Sequence, residues 1–128
     1  MQDRDMIINL TRSLLESIVV GNWTAYAEIC DPSLTCFEPE ARGHLVEGLD
    51  FHEYYFKLER SPHAHVQTTL ASPHVRVMGE VAVISYVRLT QSLDASGVPH
   101  TKAMEETRVW QKSNGVWKHV HFHRSSPS

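Results

Sequence analysis

From Val66 to His123 the chain is written almost entirely in strand-length runs, and that half of the sequence limits the fold most. Val81 to Leu93 is β-branched and alternating, Thr101 to Gln111 is another long run, and Val116 to His123 is the last. Val66 to Met78 opens the series. A break is expected there at Ser72-Pro73, because a proline inside a strand removes a ladder hydrogen bond. The turns are also legible: Asp94 to Gly97 is one, and Asn114-Gly115 is a strong hairpin signal. These runs predict a meander of long antiparallel strands.

The first half carries a helical period instead. Ile7, Leu10, Leu14 and Ile18 recur every three or four residues, which predicts an amphipathic helix from Asp5 to Val20. Gly21 is placed to stop it. Asn22 can cap a short second helix through Trp23, Tyr26 and Ile29, ended by Asp31-Pro32. Short strands are expected at 34–37 and 43–48. Asp50 and Glu53 have the spacing of a capping box for a third helix carrying Phe51, Tyr54, Tyr55 and Leu58. Helices segregated from strands predict an α+β fold, one curved sheet with helices on one face. Such a sheet, folded around a long helix, encloses a cavity suited to a ligand.

At 128 residues the chain is expected to form one domain, 1–128. Its 41% hydrophobic and 21% charged residues exclude disorder as the main state. A formal net charge of −3 removes the electrostatic case for a nucleic-acid binder. Cys30 and Cys36 fit no zinc or redox spacing and read as reduced thiols. No stretch approaches a membrane span, and the N-terminus lacks a signal peptide's basic residues, so a cytoplasmic location is expected.

Three arginines stand out. Arg88 is in phase with Ile84 and Tyr86, Arg108 with Met104 and Trp110, and Arg124 with Val120 and Phe122. An arginine in phase with apolar neighbours on a strand points inward. Guanidinium keeps its charge, so a buried one needs an anion. That anion is either an internal carboxylate, for which Glu106 is in phase, or a small carboxylate or phosphorylated side chain bound from outside. Arg108 and Arg124 share a face only if the last hairpin has an odd loop or a bulge. A strict two-residue Asn-Gly turn would put His119, His121 and His123 there instead. These histidines, on one strand face, could bind a metal. No acidic or cysteine ligand is obviously placed to complete the set, and neither metal nor cofactor is expected. Asp31 and His52 are the nearest candidates for a catalytic pair. Asp31 beside Pro32 suits turn formation better.

The strings CDPSLTCFEPEA, LVEGLDFH, YVRLTQ, EETRVW and VHFHRS, in that order, resemble the association (hub) domain of calcium/calmodulin-dependent protein kinase II. The resemblance covers the chain from about Leu10 to Ser125. It implies a nuclear transport factor 2-like (cystatin-like) cone, a long N-terminal helix cradled by a curved antiparallel sheet. It also implies self-association into closed stacked rings of about a dozen or more subunits, which would display kinase domains at high local concentration. The arginine positions match an arginine-lined family cavity, and His52 is carried over as a pocket-wall residue. The chain has no glycine-rich phosphate loop, HRD or DFG, so no kinase activity is expected of this segment. It also lacks a basic amphipathic calmodulin target. A segment of a kinase and a free-standing relative, whether a ligand-binding protein or a polyketide-cyclase or isomerase type of enzyme, both stay open. The loop FKLERSPHAH at 56–65 is shorter than the family's and lacks its aromatic residue.

Overall fold

The first helix, α1 (Asp3–Val20), buries Ile7, Leu14 and Leu15. Two polar residues share its buried face: the Thr11 hydroxyl donates to Ile7 O at 2.8 Å and the Ser17 hydroxyl to Leu14 O at 2.6 Å. Each hydroxyl is satisfied within the helix, so its burial leaves no orphan. Gly21 ends α1 in the left-handed region at φ 72°, and Asn22 N–H closes back on Ser17 O. The same Asn22 then caps α2 (Trp23–Ile29), its side chain accepting from Ala25 N–H at 3.1 Å. The computed structural model describes residues 2–58 and 66–127. Most of the loop at 56–65 therefore falls outside the described residues.

Six strands form one sheet: β1 (Cys30–Phe37), β2 (Val46–Glu47), β3 (Gln67–Met78), β4 (Val81–Leu93), β5 (Pro99–Ser113) and β6 (Val116–Ser125). Their order is β2-β1-β6-β5-β4-β3. The four long strands are an antiparallel meander, as the sequence predicts. The sheet is not wholly antiparallel, however, because β1 lies parallel to β6. The expected break in β3 is a bulge: Ala71 pairs with Val87 and His74 with Ser85, with Ser72 at φ 51° between them.

Several local expectations differ from what forms. β1 starts at Cys30 and runs through Pro32, so α2 ends at Ile29 by strand formation, before Asp31-Pro32 is reached. Only Val46 and Glu47 of the expected 43–48 strand pair with β1. The helix α3 (Asp50–Phe56) has Leu49 at its N-cap with no side-chain cap bond, so Asp50 and Glu53 do not form a capping box. Glu53 instead pairs with Lys57 at 2.7 Å. β6 runs past the expected end at His123 to include Arg124 and Ser125.

Two clusters fill the space between helices and sheet. One gathers Ile7, Leu15, Ala82, Ile84, Tyr86, Trp110 and Trp117 under α1. The other gathers Leu14, Tyr26, Leu34, Cys36, Val46 and Phe122 under α2 and α3.

Candidate functional site

Register decides which side chains reach the cavity. Across β4 and β5, Ile84 faces Arg108, Tyr86 faces Glu106 and Arg88 faces Met104. All six point inward with the core. The β5–β6 turn is a strict two-residue Asn114-Gly115 hairpin, both residues at positive φ. That turn alone would align His119 with the inward face, and it does: Trp110 pairs with His119, which is buried. A bulge then follows. Val109 pairs with His121, so Val120 is the extra residue and the face of β6 switches. Beyond it Phe122 faces Arg108 and Arg124 faces Glu106. Both parities therefore hold, one on each side of Val120. The three histidines do not share a face: His119 is inside, while His121 and His123 lie on the outer surface.

Glu106 is the centre of the inner network. Its carboxylate receives Arg108 Nη2 at 3.0 Å and lies 3.6 Å from Arg88 Nη1 and 3.7 Å from Arg124 Nε. The Tyr86 hydroxyl donates to the same carboxylate and accepts from Arg108 Nε at 2.8 Å. The Arg108 guanidinium also sits over the Phe122 ring, 4.5 Å from its centre. Arg108 and Glu106 are almost fully buried, at 1% and 2% exposure.

Toward the mouth the partners change. Arg124 Nη1 lies between both oxygens of Glu40, at 2.8 and 2.9 Å, and 3.6 Å from Glu38 Oε1. His52 from α3 stands beside Glu38, its Nδ1 3.8 Å from Oε2. These groups line a cavity of about 450 Å³ together with Tyr26, Tyr55, Phe56, Leu58, Arg88, Arg108 and Phe122. All four anticipated residues, Arg88, Arg108, Arg124 and His52, are on its wall. Among the described residues, Arg88 Nε, Arg124 Nε and Glu106 Oε2 are buried there without a hydrogen-bond partner. A larger depression of about 660 Å³ lies between α1 and β3, lined by Arg12, Glu16 and Thr68 among others, and it lacks this concentration of buried charge.

Protonation follows from burial and neighbours. Burial alone would raise the Glu106 carboxyl, but Arg108 and Arg88 outweigh it and hold the group below the ordinary range. Burial would likewise lower Arg108, yet Tyr86 and Glu106 leave it raised. Arg88 is lowered by its own burial despite Glu106, but a guanidinium still stays cationic near neutrality. Glu40 is held low by its bond to Arg124, against its partial burial. Glu38 goes the other way, raised by burial. His52 is pushed down to about 4, first by burial and then by Arg108, so it is a neutral imidazole at pH 7.

Both the sequence and the fold have counterparts among known proteins. The family profile for the calcium/calmodulin-dependent protein kinase II association domain matches residues 3–128. This chain belongs to that association-domain family. The rabbit (Oryctolagus cuniculus) type II delta subunit is 52% identical over 122 residues, and that stretch covers 93% of this chain and 23% of the relative. The Drosophila melanogaster type II alpha chain is 52% identical, covering 96% and 24%. The chain thus spans about a quarter of the length of these curated relatives. Among solved structures, the hub homology domain of Chlamydomonas reinhardtii superposes with a TM-score of 0.92 at 52% identity, covering 99% of this chain and 100% of that one. The Caenorhabditis elegans association domain gives 0.89 at 44%, covering 96% and 95%. A nuclear transport factor 2-like protein from Salmonella enterica, at 21% identity and TM-score 0.76, shares the fold.

The other candidate pair separates. The Asp31 carboxylate accepts from Ser33 N–H at 2.9 Å and from the Ser33 hydroxyl at 2.6 Å, a turn role. The carboxylate beside His52 is Glu38 instead. Glu38 and Glu40 were not singled out from the sequence. They flank Pro39 at the start of a short 3-10 turn (Pro39–Ala41), where no strand period reports which way they point. Cys30 and Cys36 are buried free thiols, as anticipated.

Proposed function

We propose that this domain is an assembly unit: it builds a closed homo-oligomer, and within a longer chain it would gather kinase domains without catalysing a reaction itself. Membership of the association-domain family supports assembly. So does the outer surface, where Phe37, Tyr54, Met78, Val98 and Val116 are exposed apolar side chains at 39–62%. The whole of 1–128 acts as one such unit, working in the cytoplasm. Among the described residues no helix is long and apolar enough to cross a membrane. Native mass spectrometry at micromolar concentration tests this. A single species of about a dozen or more subunits is the expected result; a stable monomer or plain dimer would overturn it.

The cavity is the second part of the proposal. It takes a small carboxylate, and the observation that carries this is the grip of Arg124 on Glu40. A carboxylate already occupies the cationic wall at the mouth, on a side chain 38% exposed, so an external carboxylate can exchange with it. Titration calorimetry with short-chain carboxylic acids is the test. Binding in the wild type that disappears in Arg124→Ala supports the reading. Binding unchanged by that substitution removes it. An acid–base enzyme is disfavoured because Asp31, the expected partner of His52, is held in a turn by Ser33, and fold alone does not specify a reaction.

A further inference from the structure

Cys36 and Glu38 are two residues apart on extended backbone, so their side chains leave the chain on the same side. His52 comes to meet them from the first turn of α3. Cys36 Sγ lies 3.3 Å from Glu38 Oε2 and 3.8 Å from His52 Nε2. One donor atom from each of the three residues falls within 4.8 Å of the others. We propose that Cys36, Glu38 and His52 are the ligands of a divalent zinc-class ion bound at the cavity wall.

The geometry suits that ion. Zinc bonds of about 2.3 Å to sulfur and 2.0–2.2 Å to nitrogen and oxygen, at tetrahedral angles, put ligand atoms about 3.3–3.6 Å apart. The Cys36–Glu38 separation fits that spacing, the Cys36–His52 separation is slightly longer, and the donor set as a whole lies within 4.8 Å, so the ligands close in by small side-chain shifts on binding. The donor chemistry suits it too. Thiolate with imidazole selects zinc, or cobalt as its substitute, over magnesium and calcium, which want oxygen alone. His52 is a neutral imidazole, the form that ligates. Glu38 is oriented from behind, since Arg124 sits 3.6 Å from Oε1 and leaves Oε2 to face Cys36 and His52. A cation holding one oxygen of a ligating carboxylate is the outer support such sites use.

Contact and access also favour the ion. The Cys36 thiol already points its S–H at Glu38 Oε2, so the sulfur and the carboxylate oxygen face the same point. On binding, the Cys36 S–H bond breaks, its proton passes to solvent, and the sulfur–metal bond forms. Glu38 and His52 both line the cavity, so the ion has a route in and its fourth position opens on that space. The site does not depend on carboxylate binding, because Arg124 can orient Glu38 whether or not it exchanges Glu40.

Cobalt(II) titration of the chelator-treated, fully reduced oligomer tests the assignment. The expected result is one equivalent per chain, intense visible bands of a tetrahedral ion, a thiolate-to-cobalt charge-transfer band, and loss of both on adding zinc. Cys36→Ser should abolish the charge-transfer band and weaken zinc binding by at least about tenfold, the lower end of what losing even an outer partner costs. Cys30→Ser, whose thiol lies by His119 instead, should leave the spectrum intact. No charge-transfer band in the wild type overturns the proposal, and so does a band that survives Cys36→Ser. Should Cys36→Ser fail to assemble, His52→Gln must weaken zinc binding to a similar degree; unchanged affinity there overturns the proposal as well.

Discussion

Glu106 and Glu40 each hold an arginine of one cavity, yet their surroundings give them opposite roles. Glu106 is enclosed, with a side-chain exposure of 0%, and it collects Arg88, Arg108 and the Tyr86 hydroxyl. Glu40 sits at the mouth at 38% exposure and holds Arg124 alone. Inside, water cannot replace a lost partner, so the ion pair acts as part of the framework. At the mouth water competes for the Glu40 carboxylate, so that contact contributes little to stability and can be exchanged. The same pair of residue types is therefore architecture at one end and an adaptable contact at the other.

The comparison is broken most directly at Glu106. Glu106→Ala leaves Arg88 and Arg108 buried without their anion and should cost about 3–5 kcal/mol, read from the shift of the urea midpoint. A loss under about 1 kcal/mol would make the inner network no different from a surface pair.

A smaller effect concerns His119, buried beside Arg108. Burial first, and then Arg108, hold its pKa well below 6.5. The unfolded chain takes up that proton as pH drops below 6.5 and the folded chain does not. Its stabilising contribution is thus complete above pH 6.5 and is lost as pH falls. The slope is about 1.4 kcal/mol per pH unit. His119→Phe should flatten the fall in stability just below pH 6.5, measured by denaturation at a series of pH values. An unchanged slope would show that His119 already carries a proton inside.

The mouth should give the smallest stability change. Glu40→Gln is expected to cost about 1 kcal/mol or less by urea denaturation, while Arg124→Ala lowers carboxylate affinity at least about tenfold, as losing one charged hydrogen bond implies. Glu40→Gln, which removes the internal competitor, should raise that affinity a few-fold. A large loss of stability in Glu40→Gln would erase the distinction between the two ends.

Much of this contrast is legible without a structure. Strand period two, counted from Ile84 to Arg88 or from Met104 to Trp110, tells which residues share a face, and it correctly turned Arg88, Glu106 and Arg108 inward. It worked because those strands are long, regular and anchored by apolar neighbours. The capping-box reading of Asp50 and Glu53 failed because that spacing also suits an ordinary first turn, where Glu53 finds Lys57 instead.

What the amino-acid sequence determined alone is the α+β layout, the inward arginines and the family. Local period and long matching strings carry all three. What only the tertiary structure decided is parity and convergence. The bulge at Val120 lets His119 and Arg124 both face inward, and a bulge depends on how β6 meets β5, not on the residues of β6 alone. The meeting of Cys36, Glu38 and His52 likewise joins a strand end to a helix sixteen residues from Cys36. No spacing rule records it, because the packing of α3 against β1 sets the distance.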